Sequence, residues 1–517
     1  MGLWNLVELG FQQHAEKVAI IHDERRVTFQ DLEKRINKMV NALYGLGLKK
    51  GDSVSILAEN SLMAVEVQYA LFKGGFVWVP LSFRNQPREN AYYLNNAGVK
   101  ALVMQSQFAQ GMEGVRTDIQ TVEHYIVDGK DDFGMHRYEH LMSRASDDDQ
   151  PIDVNNNEPL GLLHTSGTTG KAKGVVHTHR NWAMLAFSAI WSLGIQSTDV
   201  VLHIGSINHG SGSFICPHLM MGVPQVLANH MDVEFVFRTI QKERVTTVWL
   251  APTMIYLMLD HPDIRNYDLC SLRVMPYSSA PMAVHKLKEA LRVFGNKFQQ
   301  AYGLTECPLI TLLSPKDHLN ATLGNEKALR HLASAGQRAL MTDVRIVAGD
   351  GGDLPRGAVG EIAVRSPLVM KEYWKDPAAT SKSLRNGWLF TGDVGYLDDD
   401  GYLFIKDRAK DMLITGGFNV YPREVEDAIL KHPAVLETAV IGVPDDLWGE
   451  SVKAFVVLKP GMKASEEDII SVCKENLSSY KKPRSVDFVM ALPRNHAGKV
   501  LKTELRKPYW EGRERQV

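Results

Sequence analysis

The sequence predicts an α/β fold with a large N-terminal domain and a smaller α/β C-terminal domain. Over the first half of the chain, strands alternate with helices of about a dozen residues, which is typical of mixed or parallel sheets covered by helices. Residues 360–364 open a β-rich subdomain, in which a hairpin over 397–405 turns at Asp400-Gly401. A chain of 517 residues also exceeds the size at which one core stops growing, so at least two domains are expected.

Local signals place the first elements. Residues 18–21 form a predicted strand, and Thr28 is a predicted helix cap because Asp31 follows three residues later. The helix ends near Gly45 and Gly47. Its apolar face comprises Leu32, Ile36, Met39, Val40 and Leu43.

The alternation continues along the large domain. Residues 106–158 are less periodic and end in a polar connector. In chain order we predict strand 53–57, helix 63–72, strand 76–79, strand 100–104, strand 199–204, helix 233–243 and strand 246–250.

Helix-start signals recur in the last part of the chain. Pro422 suits the first position of a helix, and Ser465 with Asp468 caps another helix. Strands are predicted over 438–443 and 452–458. These elements form the predicted small α/β domain.

Composition excludes several function classes. A net charge of −2 with 23% charged residues argues against a nucleic-acid-binding surface. The four cysteines are widely spaced, so neither a disulfide framework nor a zinc site is indicated. The sequence shows neither a signal peptide nor an apolar run long enough to span a bilayer. We therefore expect a cytoplasmic protein without a transmembrane segment.

The stretch 165–174 carries the strongest chemical signal. It combines four hydroxyls, three glycines and two lysines, with apolar residues on both sides. Glycines let backbone N–H groups turn inward, while hydroxyls and lysines add donors and positive charge, so the stretch suits phosphate binding. It lacks the Walker A spacing. A flexible surface linker is the alternative interpretation.

This loop resembles the phosphate-binding signature of the AMP-forming adenylating enzymes, which include acyl-CoA synthetases, peptide synthetase adenylation domains and beetle luciferases. Ala172 stands where the family usually has proline, a change that loosens the loop without removing a ligand group. The resemblance implies ATP binding, with Thr165 also a candidate Mg²⁺ ligand. The implied ATP/AMP-binding residues are Thr165, Ser166, Gly167, Thr168, Thr169, Gly170, Lys171 and Lys173.

A second family motif lies at 302–306. There the resemblance implies that Tyr302 stacks on adenine beside Gly303, that Thr305 contacts the α-phosphate, and that Glu306 helps to hold Mg²⁺. The chemistry is reasonable, because ATP carries about four negative charges that a hard cation on a carboxylate offsets.

Further nucleotide-binding residues follow from the same resemblance. Ser278, Ser279 and Ala280 occupy the segment that passes beside the adenine, with two serines in place of the usual glycines. Asp393 on a tight turn matches the carboxylate that accepts both ribose hydroxyls, and Arg408 matches a second ribose contact.

The acyl pocket is less sharply defined. His209 matches a family histidine beside the carboxylate substrate, although Asn208 replaces the more usual aromatic residue before it. We place His209 among the catalytic residues, with Lys499, Thr305 and Glu306. We expect the pocket to be lined by His209, Tyr277, Ser278 and Cys307.

The resemblance also implies a mobile C-terminal domain. Lys410 matches the hinge, which divides the chain into domains 1–408 and 409–517. Gly416 and Gly417 match a glycine loop that lines the coenzyme A tunnel in thioester-forming members. Lys499 matches the terminal lysine that binds carboxylate and α-phosphate oxygens, although Asn495 replaces the usual threonine.

The sequence thus predicts an acid–thiol ligase that uses ATP, Mg²⁺ and coenzyme A to activate a fatty, alicyclic or aromatic acid. Three alternatives remain: an amino-acid-activating module, a luciferase-like enzyme and a non-catalytic nucleotide-binding scaffold. The stretch 205–214 lacks the aspartate expected for an α-amino group, and the chain ends 18 residues after Lys499 without a carrier domain. A homodimer is a further possibility.

Overall fold

The computed structural model describes residues 2–129, 134–165, 172–208, 210–229, 232–280, 282–494 and 500–511. Ser166–Lys171, His209 and Lys499 lie outside these described residues.

The first part of the large domain contains α1 Trp4–Gln13, β1 Val18–His22, β2 Arg25–Thr28, α2 Phe29–Gly45, β3 Ser53–Leu57, α3 Leu62–Gly74, β4 Val77–Pro80, α4 Pro87–Ala97, β5 Val99–Met104, α5 Ser106–Glu113, β6 His124–Val127, β7 His136–Arg137, α6 Tyr138–Arg144, β8 Pro159–Thr165, β9 Lys173–Thr178 and α7 His179–Leu193.

The rest of the chain adds a second set of elements. These are β10 Val201–His203, α8 Ile215–Met220, β11 Gln225–Leu227, α9 Val233–Glu243, β12 Thr247–Val248, α10 Pro252–Leu259, β13 Met275–Tyr277, α11 Val284–Phe294, β14 Phe298–Leu304, β15 Cys307–Leu313, α12 Pro315–Thr322, α13 Glu326–His331, β16 Gln337–Arg338, β17 Asp343–Val347, β18 Gly360–Arg365, β19 Glu372–Tyr373, α14 Pro377–Ser383, β20 Leu384–Arg385, β21 Trp388–Leu397, β22 Leu403–Arg408, β23 Leu413–Thr415, β24 Phe418–Val420, α15 Pro422–Ile429, β25 Val435–Asp445, β26 Gly449–Leu458, α16 Glu466–Asn476, β27 Ser485–Phe488 and α17 Lys502–Trp510.

Two large sheets organise the N-terminal domain. One has the order β19-β9-β8-β4-β3-β5-β6-β7, parallel from β8 to β7 and antiparallel at the β8–β9–β19 edge. The other has the order β12-β10-β11-β1-β2 and continues through backbone bridges into β13-β14-β15-β16. Ligands of such sheets bind beyond the carboxyl ends of the parallel strands. The predicted α/β class is confirmed.

The helix α2 shows how local sequence sets these elements. The Thr28 hydroxyl accepts a hydrogen bond from the Asp31 N–H at 3.1 Å, as the capping signal predicts. The helix ends at Gly45. All five residues of its predicted apolar face are at most 1% exposed, so this face packs into the core.

The region 106–158 contains more structure than the sequence indicates. Helices α5 and α6 and the short strands β6 and β7 lie there. Strand β6 pairs with β5, and β7 extends the sheet by two residues. Such short strands depend on pairing with distant residues, so their own periodicity is too weak to reveal them.

The β-rich subdomain and the small domain follow. Strands β17, β18, β21, β20 and β22 form an antiparallel sheet, and the hairpin β21–β22 turns at Asp400-Gly401. Beyond it, β24-β23-β26-β25, with β27 beside β26, forms the last sheet. The two core clusters around this sheet draw only on residues from Leu413 onwards. The division of the chain at residue 409 stays a prediction.

No helix in the described part of the chain is both long and apolar enough to traverse a bilayer. All four cysteines are free thiols, three of them buried and Cys270 exposed.

Six buried histidines make stability depend on pH. Burial lowers the pKa of each imidazole to about 4, below the unfolded value of about 6.5. Between these values the unfolded chain binds more protons, so stability is complete above about pH 6.5 and falls as the pH decreases towards 4. The six are His164, His177, His179, His203, His218 and His318.

We therefore predict that the urea concentration at the midpoint of unfolding decreases when the pH is lowered from about 7.5 to 5.5. The free energy of unfolding should decrease by about 1 kcal/mol for each buried histidine. The variant His164→Gln keeps a donor towards Asn96 but removes one titrating group, so its pH dependence should be smaller by one proton. Equal midpoints for the wild type at both pH values would contradict the assignment of neutral buried imidazoles.

Candidate active site

The predicted phosphate loop joins two strands at the edge of the eight-stranded sheet. Strands β8 and β9 pair antiparallel, with Thr165 opposite Lys173. The Thr165 hydroxyl donates to the Lys173 carbonyl at 3.4 Å, which closes the base of the hairpin. The Lys173 ammonium lies 5.0 Å from the centre of the Tyr373 ring. The two strand ends that flank the loop therefore carry one hydroxyl, that of Thr165, and one cation, that of Lys173.

The turn that carries Thr305 and Glu306 is held against β9. The Nε2 atom of the buried His177 lies 2.7 Å from the Thr305 carbonyl, to which it donates a hydrogen bond. The Met370 N–H donates to the Glu306 carbonyl at 2.7 Å. Strand β19 in turn pairs with β9, with Tyr373 opposite Val175. The turn therefore has a fixed register against the strand that follows the phosphate loop.

Glu306 is suited to a divalent cation. The Tyr373 hydroxyl donates to its Oε1 atom at 2.7 Å. None of the ion pairs within the described ranges uses this carboxylate, although its charge contributes to the raised pKa of Arg408. The partly exposed Glu306 carboxylate provides hard oxygen ligands, which Mg²⁺ prefers. The residues therefore fit the implied metal.

A buried carboxylate connects two sheets beside this turn. Asp393, which is 4% exposed, accepts a hydrogen bond from the Tyr302 hydroxyl at 2.6 Å and pairs with Arg408 at 2.6 Å. Burial alone would lower the pKa of Arg408, but the charges of Asp393, Glu306 and Asp411 and the nearby Tyr302 together outweigh it, so the pKa is raised. Burial and the Asp393 charge raise the pKa of Tyr302 well above its usual value. Thus Arg408 stays cationic and Tyr302 stays a hydrogen-bond donor.

Gly303 lies where the β14 strand is irregular. A Cβ atom at this position would stand 2.1 Å from the Pro308 carbonyl oxygen, so only glycine fits. Ser279 has a φ of +74°, a left-handed conformation that serine rarely adopts. Ser279 and Ala280 are exposed. The glycine of the family pattern would therefore remove strain at residue 279.

The loop before His209 is held by Asn60. Its side-chain amide donates to the carbonyls of Gly205 at 3.0 Å and Ala228 at 2.9 Å, and its carbonyl oxygen accepts from the Ile207 N–H at 2.8 Å. The Asn208 side chain donates to the Ala58 carbonyl at 2.8 Å. The asparagine that replaces the family aromatic residue thus has a structural role.

Two expected pocket residues are corrected. Tyr277 is fully buried, and its hydroxyl lies 3.2 Å from both Gln300 Oε1 and His318 Nε2. Cys307 is also fully buried, within a core cluster, and burial raises the pKa of its thiol. Both side chains point into the core, so neither lines an open pocket. Ser278 differs, because it is partly exposed and its hydroxyl accepts from Trp249 Nε1 at 2.9 Å.

The small-domain residues lie on exposed loops. Lys410 is in the turn between β22 and β23, and the neighbouring Asp411 pairs with Arg506 at 2.9 Å. Gly416 has a φ of +56°, and a Cβ atom there would stand 2.5 Å from the Trp448 ring. Gly417, with a φ of +82°, is exposed beside it. The roles assigned to these residues stay predictions.

An exposed aromatic and cationic patch surrounds these glycines, and the sequence interpretation missed it. The rings of Phe418 and Tyr480 lie 4.8 Å apart, and the Arg484 guanidinium lies 5.0 Å from the Trp448 ring centre. Phe418 is 57% exposed and Trp448 is 42% exposed. Exposed aromatic side chains beside a glycine motif are the signal that could have indicated this patch.

The structure thus brings Thr165, Lys173, Tyr302, Thr305, Glu306, Asp393 and Arg408 into one connected network. His177 and Tyr373 link its parts, and nothing in the local sequence pattern indicated His177. Together, the fold and this network are typical of a two-domain α/β enzyme, and we expect its nucleotide site at this edge of the sheets.

Comparison with known proteins agrees with this class. Residues 8–374 match the AMP-binding enzymes, and residues 424–499 match the C-terminal domain of AMP-binding enzymes. A fatty acid–[acyl-carrier-protein] ligase from Streptomyces coeruleorubidus is 33% identical over 507 residues, which are 96% of this chain and 95% of that protein. A medium/long-chain fatty-acid–CoA ligase from Mycobacterium tuberculosis is 33% identical over 521 residues, 98% of this chain and 90% of that protein.

A solved structure that contains an acyl-adenylate has the same fold. An anthranilate CoA ligase in complex with anthranoyl-AMP superposes with a TM-score of 0.90 at 27% identity, covering 98% of this chain and 97% of the other. The chain therefore belongs to the AMP-binding enzymes, and the resemblance seen in the sequence is confirmed.

We predict that His177→Leu lowers the rate of acid-dependent ATP–pyrophosphate exchange by about tenfold to hundredfold, because a small misplacement of catalytic groups has such costs. His177→Gln, which keeps a donor at similar reach, should retain most of the rate. The maximal rate should change more than the KM for ATP.

Two controls separate positioning from general damage. The exposed His140→Leu variant should behave as the wild type, and thermal unfolding should show that His177→Leu is folded. Burial lowers the pKa of His177 to about 4, so no shift of the pH profile between about pH 6 and 9 is expected on its replacement. Unchanged exchange in His177→Leu would contradict the positioning role.

Proposed function

We propose that this protein is an ATP-dependent, AMP-forming ligase that activates a carboxylic acid as its acyl-adenylate and transfers the acyl group to coenzyme A. The observation that carries the proposal is the convergence of four separate segments on one site: β9, β19, the 302–306 motif and the β21–β22 hairpin. The Lys173 ammonium lies over the Tyr373 ring, and the Tyr373 hydroxyl donates a hydrogen bond to Glu306. Tyr302, three residues before Thr305, donates a hydrogen bond to Asp393, which also pairs with Arg408.

In the first half-reaction, a carboxylate oxygen of the acid attacks the α-phosphorus of ATP. A bond forms between that oxygen and phosphorus, and the bond to the β-phosphate oxygen breaks, which releases pyrophosphate. Thr305 donates to the α-phosphate, and Lys499 and the lysines of the phosphate loop stabilise the negative charge that accumulates. Glu306 would hold Mg²⁺, which when bound would offset the negative charge of the polyphosphate.

The nucleoside is held by the buried network. One Asp393 oxygen accepts from Tyr302 and the other pairs with Arg408. A carboxylate has further lone pairs, so it can also accept the ribose hydroxyls. Tyr302 is partly exposed and its hydroxyl is fixed on Asp393, and the proposal is that its aromatic ring stacks on the adenine. The acyl-adenylate reacts with water, so exclusion of solvent is part of this function.

In the second half-reaction, the thiol sulfur of coenzyme A attacks the acyl carbon. The bond from that carbon to the phosphate oxygen breaks, AMP leaves with the oxygen, and the thiol proton passes to solvent. Rotation about Lys410 withdraws Lys499 and brings Gly416 and Gly417 to the adenylate. Coenzyme A binds the exposed patch of Phe418, Trp448, Tyr480 and Arg484, because aromatic faces suit its adenine and a cation suits its phosphates.

The alternatives are less well supported. The intact Glu306, Asp393 and Arg408 network argues against a non-catalytic scaffold.

The compartment that we propose is the cytoplasm, where thiols stay reduced, because the four cysteines are free. The homodimer stays a prediction that light scattering of the purified protein would test.

The first prediction concerns Lys499. Lys499→Ala should abolish acid-dependent ATP–pyrophosphate exchange, but it should spare thioester formation from synthetic acyl-adenylate and coenzyme A, because this lysine is withdrawn before the second step. The exposed Lys463→Ala variant is the matched control and should retain both reactions. Equal loss of both half-reactions in Lys499→Ala would refute the claim that this lysine acts only in the first half-reaction. Formation of ADP by the wild type would refute the AMP-forming function.

The second prediction concerns the coenzyme A patch. Trp448→Ala should raise the KM for coenzyme A by about tenfold, the effect of losing one exposed stacking and cation–π contact. The KM for ATP in the exchange reaction should stay at the wild-type value. Met490→Ala, at the other end of β27 from Arg484, is the control in the same domain. A normal KM for coenzyme A in Trp448→Ala would exclude the patch as the binding surface.

A further inference from the structure

A groove beside α7 lies apart from the residues of the proposed reaction. Its volume is about 920 Å³, and it is lined by both Arg180 and Trp191, which are about 16 Å apart along the helix. Gln299 at the start of β14 also lines it. In the β14–β15 hairpin, this residue lies at the end opposite the turn that carries Thr305, about 20 Å along the strand. The groove is therefore separate from the proposed nucleotide site of the reaction.

One end of the groove is cationic. Asp343 accepts from Arg338 at 3.2 Å and from Arg365 at 2.9 Å, and all three residues line the groove. Arg180 is exposed and makes no ion pair with any residue that the structure describes. The start of α7 is fixed beside them, because the Asn181 amide donates to the carbonyl two residues after Arg365 at 2.8 Å. Three guanidinium groups and one carboxylate leave a net charge of +2, which suits phosphate oxygens.

The other end offers an aromatic ring and a hydrogen-bond acceptor without a donor. Trp191 is 76% exposed, whereas Gln299 is only 3% exposed. The Gln299 Nε2 atom donates to the Ser192 carbonyl at 2.7 Å, which fixes the orientation of the amide. Its Oε1 atom has no hydrogen-bond partner among the described residues. Because a buried acceptor without a donor is costly, this end favours a ligand that carries N–H or O–H groups.

Residues 339–342 supply the apolar part of the groove. Met341 is 41% exposed and has a φ of +61°, a left-handed conformation that side chains other than glycine rarely adopt. The turn is held in place, because the Thr342 N–H donates to the Ala339 carbonyl at 3.2 Å and the Thr342 hydroxyl lies 3.0 Å from that of Ser366. Backbone strain of this kind is concentrated at functional sites such as ligand clamps.

We propose that this groove binds a purine nucleoside diphosphate. The diphosphate lies on Arg180 and Arg365, and the base stacks on Trp191, with its amino group directed towards Gln299. Guanidinium groups bind phosphates in a bidentate manner, and bases stack on exposed aromatic side chains. A fatty-acid anion would suit the arginines and Met341, but it carries no donor for Gln299. The site does not depend on the proposed function, because it shares no residue with it.

The test is photolabelling of the full-length protein with 2-azido-ADP, followed by proteolysis and mass spectrometry. The label is expected on peptides from 184–193 or 337–343, which flank the predicted position of the base. Trp191→Ala and Arg180→Gln should each raise the concentration for half-maximal labelling of these peptides by about tenfold, the effect of losing one stacked base or one charge-assisted contact. Both side chains are exposed, so thermal unfolding should match that of the wild type.

Two controls make the outcome decisive. Arg292→Gln removes another exposed arginine and should leave the labelling unchanged. Pyrophosphate, which has no base, should protect these peptides only at concentrations at least about tenfold above those of unlabelled ADP. Equal protection by the two compounds, label confined to 165–174 and 302–306, or wild-type labelling in both variants would overturn this inference. Absence of AMP formation with every acid would instead overturn the proposed function, and it would leave the labelling result unaffected.

Discussion

The turn that carries Thr305 and Glu306 is the part of the site on which the others depend. His177 bonds the carbonyl of Thr305, Met370 bonds that of Glu306, and Tyr373 bonds the Glu306 carboxylate. All three come from β9 or from the segment that pairs with it. Because β9 also follows the predicted phosphate loop, the groups that we propose contact the α-phosphate and the rest of the polyphosphate are attached to the same strand. Charge stabilisation depends on such preorganisation.

The network that we propose binds the nucleoside lies directly before Lys410, the proposed hinge. Arg408 ends β22 and pairs with Asp393, and the Ala409 N–H donates to the Gly392 carbonyl at 3.0 Å. Lys410 is the next residue. A rotation that begins there leaves Asp393 and Arg408 in place while the small domain moves. We therefore propose that the adenylate stays bound between the two half-reactions, which need different groups from the C-terminal domain.

Local signals in the sequence predicted local structure well. The caps at Thr28 and Ser465 are confirmed, as are helix α9 and strand β3 with their predicted bounds. Features that depend on distant partners were missed: the two-residue strand β19, the bond from His177 to a carbonyl 128 residues away, and the Phe214–Trp249 stack. Tyr277 and Ser278 show the limit most clearly. Successive residues of an extended segment point to opposite faces, so the motif located the segment but did not show that Tyr277 is buried while Ser278 is partly exposed.

The central claim is that the acid's own oxygen attacks the α-phosphorus. It is tested most directly by supplying an acid whose carboxylate carries heavy oxygen, together with ATP and coenzyme A, and by measuring the label in the products with mass spectrometry. The account predicts that each turnover places one labelled oxygen in AMP and none in pyrophosphate. Label in inorganic phosphate, or unlabelled AMP formed at the same rate as the thioester, would contradict it.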